Sequence, residues 1–228
     1  MTAADEHDLW VFGYGSLMWK PGFQFIEARR ARIVGFSRRF CVASVHHRGS
    51  ARRPGLVLGL DRGGVCEGIV YRVPADRAES TLDYLREREQ VNGVYRERRV
   101  PVEIEGGASV RAVAYLVERA HPSYVGRLPI ALQARIISGG RGLSGVNLDY
   151  VIATLRHLAE IGIRERELER LGVALGGLMS RGARAGEVSP RAEVACRAAA
   201  RTPLRTACVK HMRPSERRRF GYRRKLSA

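Results

Sequence analysis

Gly13-Tyr14-Gly15-Ser16 and Glu89 are the residues whose types and spacing best suit chemistry on a small polar molecule. Glycines let backbone N–H groups approach a bound anion or carbonyl closely, and Ser16 adds a hydroxyl donor. Such a loop could hold a carboxylate or a developing oxyanion. It reads equally well as a tight strand-ending turn with Tyr14 packed on the core. Glu89 falls in register with Ala78, Leu82 and Leu85, so one helix face runs through three apolar residues to a carboxylate. An inward carboxylate is costly unless partnered, and burial raises its pKa toward a range useful for proton transfer. A structural helix-end glutamate has the same spacing. Taken together, an inward glutamate and an anion-cradling loop point to acid/base chemistry without saying which reaction.

Other candidate motifs fall away on context. Gly140-Arg141-Gly142-Leu143-Ser144-Gly145 fits G-x-G-x-x-G, but Ile130 to Ile137 before it reads as an amphipathic helix where a dinucleotide site needs a strand. The stretch from Gly13 has Met18 at the third glycine and Pro21-Gly22 soon after, which argues against a long helix there. No Gly-Lys-Ser/Thr phosphate loop is present. Cys41, Cys66, Cys196 and Cys208 form no CxxC pair, and reduced structural thiols are expected. His46 and His47 are adjacent and would point to opposite faces of a strand. No metal site and no cofactor are expected.

The elements that must position these residues are short. Leu9-Trp10-Val11-Phe12 reads as a buried strand entering the glycine turn. Further strands are expected at Ala31–Val34, Arg39–Val45, Gly55–Leu60, Val65–Val73, Tyr95–Ile104 and Val110–Val117. Most are joined by turns, which favours an α+β fold with a small mixed, largely antiparallel sheet or barrel over a doubly wound one. Asp76 and Glu79 suggest a capping box for the helix carrying Glu89. Arg86, Glu87 and Arg88 read as solvent-facing. Helices are also expected over Pro129–Ile137 and Asn147–Ile161, with a short turn at Glu165–Leu171.

The 228 residues carry 40 Lys and Arg against 23 Asp and Glu, a net charge of +17. With 45% hydrophobic residues the chain can bury a core, which excludes global disorder. The charge is concentrated at the end, where 14 Lys and Arg but only three Glu follow from Leu178 onward. That segment has few large apolar residues and no periodicity. A folded domain over 1–177 and a disordered basic tail over 178–228 are therefore expected. The tail could contact nucleic acid or acidic surfaces, or be a solvated extension or a read-through of the gene. No apolar run is long enough for a membrane span, and acidic residues precede the first apolar stretch, so a cytoplasmic location is expected. Oligomeric state is not legible.

The run Trp10-Val11-Phe12-Gly13-Tyr14-Gly15-Ser16-Leu17-Met18-Trp19 resembles the signature loop of the ChaC-like γ-glutamylcyclotransferases. The likeness continues through Arg38-Arg39-Phe40, His47-Arg48-Gly49, Pro54-Gly55, Glu67-Gly68-Ile69-Val70-Tyr71 and Tyr84-Leu85 with Arg88-Glu89. It then takes in Gly93-Val94-Tyr95, Ala114-Tyr115, Pro122-Ser123-Tyr124-Val125-Gly126, Gly142-Leu143-Ser144-Gly145, Asn147 and Asp149-Tyr150. It spans residues 9 to 175 in order and leaves out the basic tail. Cys41 and His46 depart from the residues common in the family, which bears on substrate preference more than on reaction type.

The resemblance implies a γ-glutamylcyclotransferase-like β-barrel with flanking helices and a cofactor-free lyase that converts glutathione to 5-oxoproline and Cys-Gly. By position it makes Glu89 the catalytic acid/base and Gly13, Tyr14, Gly15, Ser16, Leu17 and Met18 the loop for the γ-glutamyl group, with Tyr115 and Tyr124 in the pocket wall. The alternatives are a cyclotransferase for other γ-glutamyl amines or dipeptides, and a non-enzymatic nucleic-acid-binding or regulatory protein led by its tail.

Overall fold

The computed structural model describes residues 7–182. Its centre is a closed barrel of five strands in the order β1-β3-β2-β4-β5. β1 (Leu9–Gly13) is apolar at nearly every position because both its edges are paired, antiparallel to β3 and parallel to β5. β3 also meets β5 in parallel at Leu60 and Leu116, while the ladders between β2 and β3, β2 and β4, and β4 and β5 are antiparallel, so the sheet is mixed and largely antiparallel as its turn-linked strands imply.

The strands differ from expectation in length. Ala31–Val34 and Arg39–Val45 belong to one strand, β2 (Glu27–Ser44), and Gly55–Leu60 and Val65–Val73 to one strand, β3 (Gly55–Val73). The residues between them read as turns because they hold Gly35, Gly63 and Gly64, all at positive φ. In the structure these glycines face one another where the register shifts between Val34 and Phe36, so they bend a continuous ribbon instead of ending it. β4 (Tyr95–Ile104) and β5 (Ser109–Val117) complete the barrel.

Helices cover the barrel on two sides. α1 (Ala78–Glu89) buries Leu82 and Leu85 against Leu9, Val11, Leu17, Tyr71, Val113 and Tyr115. Its start differs from expectation: a 3-10 turn at Ala75–Arg77 leads in, and no side chain caps the helix. Asp76 forms no capping box, and the carboxylate of Asp8 accepts the Ala75 N–H at 3.0 Å instead. On the other side α2 (Ile130–Gly139), α3 (Asn147–Glu160) and α4 (Arg166–Gly182) place Ala134, Ile137, Val151, Leu158, Leu168, Leu171 and Leu175 in one core with Phe40, Leu56 and Leu58.

The Gly140–Gly145 stretch is a two-strand hairpin, β6 (Arg141–Gly142) and β7 (Gly145–Val146), and not a nucleotide loop. Its tip donates from Leu143 and Ser144 N–H to the carbonyls of His46 and His47, at 2.8 and 2.9 Å. Asn147 is wholly buried and pairs through its amide with both the N–H and the carbonyl of Leu56, fixing α3 to the start of β3.

α4 is much longer than the turn expected at Glu165–Leu171, because the Leu168, Leu171 and Leu175 stripe continues the packing. It runs through Gly176-Gly177 to Gly182, past the boundary expected at residue 177. The rest of the basic tail, 183–228, lies outside the described residues, as do Cys196 and Cys208. Among the described residues no helix is long and apolar enough to cross a membrane.

Candidate active site

The signature loop leaves β1 at Gly13, where β3 presses against it. A Cβ on Gly68 would collide with the Gly13 carbonyl and reach the Phe12 ring at 2.8 Å, so only glycine lets the two strands meet there. The chain then makes a single 3-10 turn over Ser16–Met18, closed by Met18 N–H donating to the Gly15 carbonyl at 2.9 Å. Gly13, Tyr14, Gly15, Leu17 and Met18 are buried and Ser16 is half-buried. Among the described residues, the N–H groups of Gly15, Ser16 and Leu17 meet no protein acceptor. Buried N–H groups are seldom left without an acceptor, which sets this turn apart from the paired backbone around it.

Several side chains hold the loop from below. The Tyr71 hydroxyl donates to the carbonyls of Leu17 and Met18, at 3.0 and 2.8 Å. Arg38 is buried, donates to the carbonyls of Tyr14 and Glu67, and pairs with Glu165 just ahead of α4. The Tyr14 hydroxyl donates to the carbonyl of Tyr115 at 3.0 Å, so Tyr14 is both a packed core residue and part of the cradle.

Glu89 closes α1 and comes to this loop through its neighbour Arg88. Arg88 is not solvent-facing as its spacing suggested: it donates to Ser16 Oγ at 3.0 Å and to the Lys20 carbonyl at 2.7 Å. Its Nε lies 3.1 Å from Glu89 Oε1. Burial pushes the Glu89 carboxyl above its usual range, and the Arg88 guanidinium opposes this without cancelling it.

The charge of Glu89 reaches Tyr14, Tyr95, Tyr115 and Tyr150. Burial, reinforced by that charge, raises their hydroxyls, Tyr150 to about 12, so they remain neutral donors. Tyr95 donates to the Leu58 carbonyl, and Tyr150 places its hydroxyl 4.0 Å from where a Cβ on Gly15 would sit.

The other expected wall residues are placed differently. Tyr115 offers the loop its carbonyl, while its hydroxyl turns toward Glu97 at 3.4 Å. Tyr124 donates to Asp61 at 3.0 Å beneath the Arg119 guanidinium, in the cluster with Cys41, Val42 and Val94. The sequence reading gave no site role to Tyr95, Tyr150 or Arg38, although all three stand in the quoted motifs. Nothing in local spacing brings β4, α3 and β2 to one point.

A surface cleft of about 330 Å³ lies elsewhere, between β2 and β4. Four of its charged side chains are matched, Arg30 to Glu67 and Arg32 to Glu103, and neither Glu89 nor the glycine turn lines it. Among the described residues no cluster of His, Cys, Asp and Glu could hold a metal ion, and Cys41 and Cys66 are buried free thiols.

Comparison with known proteins agrees with this fold. The chain is 32% identical to a glutathione-specific γ-glutamylcyclotransferase of Escherichia coli, over 77% of this chain and 76% of that one. It is 35% identical to a protein of the same name from Schizosaccharomyces pombe, covering 74% of this chain and 95% of the relative. A crystal structure of a γ-glutamyl cyclotransferase specific to glutathione from yeast superposes with a TM-score of 0.67 at 25% identity, over 75% of this chain and 99% of that one. The family model described as ChaC-like protein matches residues 9–175, the whole barrel with its helices, and the chain belongs to that family.

Proposed function

We propose that this chain cleaves glutathione by intramolecular cyclisation, giving 5-oxoproline and Cys-Gly. The observation that carries this reading is the pairing of a partly buried Glu89, its carboxyl raised by that burial, with a glycine turn whose N–H groups have no acceptor among the described residues.

In a γ-glutamyl amide the α-amine folds back on its own γ-carbonyl carbon. A C–N bond forms, the amide C–N bond to cysteine breaks, and the two protons that the α-ammonium gives up on becoming the lactam N–H match the two that the departing nitrogen takes up to leave as an ammonium. No water, oxidant or reductant is consumed, and because both reacting groups belong to one molecule, proximity is largely built in.

Three tasks remain for the protein. Glu89 takes the proton from the α-ammonium and returns it to the cysteinyl nitrogen; its raised pKa suits both halves of that exchange, which contributes ~10² to 10⁴-fold in such roles. The N–H groups of Gly15, Ser16 and Leu17 take the substrate carboxylate or the tetrahedral oxyanion. Arg88 holds Glu89 and Ser16 in one frame, and the neutral Tyr95 and Tyr150 wall the space between them.

The test is incubation of the purified chain with reduced glutathione, measuring 5-oxoproline and Cys-Gly by mass spectrometry, with γ-Glu-Ala in parallel. Release of both products in equal amounts is expected, with glutathione preferred. Turnover of γ-Glu-Ala alone would replace glutathione with a shorter γ-glutamyl dipeptide, and no turnover of either would overturn the reading.

A further inference from the structure

Three arginines touch the walls of this site, and they differ in what they are bound to. Arg38 is paired with Glu165 and Arg88 with Glu89. Arg48 has no carboxylate partner among the described residues; its Nη1 donates to the Val146 carbonyl at 3.3 Å and its guanidinium lies over the Tyr150 ring, 5.2 Å from the centroid. It is half-buried, and the loop that carries it, 45–54, contains His46, His47, Arg52 and Arg53 and no acidic residue. A half-buried guanidinium without a counter-ion in an all-basic loop is a prepared place for an anion.

Its position says which anion. Tyr150 runs between the two ends of the site, with its hydroxyl beside Gly15 and its ring face under Arg48. The Glu89 and Arg48 charges act on this one tyrosine in opposite directions. Tyr150 thus offers a line from the glycine turn to Arg48, and a leaving group laid along it would reach the guanidinium. A dipeptide leaving group spans about 7 Å when extended, comparable to the reach of one tyrosine side chain, and it ends in a carboxylate.

On the reading that the site cyclises glutathione, we propose that Arg48 binds the C-terminal carboxylate of the departing dipeptide and so sets the preference for glutathione. The guanidinium fork matches a carboxylate, and the Tyr150 ring holds that fork in place. The Asn147 and hairpin contacts that seat Arg48 near Val146 explain why the β6–β7 hairpin is tied to the 45–54 loop.

The experiment compares glutathione with its C-terminal amide, γ-Glu-Cys-Gly-NH₂, on the full chain and on Arg48→Ala and Arg48→Lys. Wild type should favour the free acid in kcat/KM by about 10- to 100-fold, the range for a charged hydrogen bond. Arg48→Ala should treat the two substrates alike, and Arg48→Lys should recover part of the preference. The wild-type comparison needs no variant, so a poorly folding Arg48→Ala leaves the proposal testable. Equal turnover of acid and amide by wild type overturns the role of Arg48 while leaving glutathione cyclisation standing. An equal loss on both substrates in Arg48→Ala also overturns it and makes Arg48 a support for Tyr150. Failure of wild type on every γ-glutamyl compound removes the reading beneath it.

Discussion

Two arginine–glutamate pairs meet the same loop from opposite sides, and they are built for different ends. Arg38 has a side chain with no exposure and is saturated by the Tyr14 and Glu67 carbonyls, Met18 Sδ and Glu165. It lies on β2, while Glu165 enters α4, so the pair joins barrel to helix layer across 127 residues. Arg88 and Glu89 are chain neighbours at the end of α1, and their contact ties together no distant elements. Burial raises both glutamates. Glu165 faces an arginine whose other donors are all engaged. Glu89 pairs with Arg88, which reaches on to Ser16 Oγ of the glycine turn. One pair pins the loop to the helix layer, and the other holds what is, on the proposed function, the proton carrier.

The same substitution on each side is the sharpest way to break this contrast. Glu89→Gln should lower glutathione turnover by ~10² to 10⁴-fold with an unchanged folded spectrum, checked by product formation and circular dichroism. Turnover near wild type would remove Glu89 from the chemistry. Arg38→Met leaves Glu165 and two carbonyls without their donor, and should cost about 3 kcal/mol in denaturant unfolding. An unfolding midpoint unchanged by that variant would mean that the buried pair does not hold the loop. Glu165→Gln keeps an acceptor for Arg38 but removes its counter-ion, so turnover should stay near wild type while stability falls by about 1 to 3 kcal/mol. A large loss of turnover there would erase the distinction between the two pairs.

The smallest effect is in pH. Glu89 has a higher pKa folded than unfolded, so its protonated form favours folding; that contribution is complete below 4.5 and is lost as pH rises through the folded value. Glu89→Gln imitates the protonated form. Its stability should match wild type in trend below pH 4.5 and gain on it above, as followed by thermal unfolding across pH. A wild type that gains on the variant as pH rises would show that the Arg88 pair outweighs burial.

Some of this was legible locally. The Leu82, Leu85, Glu89 spacing places the glutamate on the buried face of α1, and an amphipathic period is a property of neighbouring residues alone. β4 runs over Tyr95–Ile104 as its alternation indicates. The continuity of β2 and β3 was not legible, because Gly35, Gly63 and Gly64 have the composition of turns and only a paired partner makes them a bend. The length of α4 was hidden for a similar reason: Leu168, Leu171 and Leu175 pack into the core as far as residue 175, and the helix runs on through the exposed Gly176-Gly177 that read as an ending. Arg88 looked exposed because helical spacing says nothing of a loop that curls back to meet it.

Periodicity, glycine placement and charge determined from sequence alone that a basic, largely antiparallel α+β protein presents a glycine turn and an inward glutamate. These are short-range properties, written in residues within a few turns of one another. Only the closed barrel decided which groups stand around Glu89, since Tyr14, Tyr95 and Tyr150 come from β1's loop, β4 and α3. It decided too that Arg38 is a buried pin and Arg48 an arginine without a counter-ion. Partners of that kind are set by strand register and helix docking, where the energy lies in contacts between residues far apart in the chain.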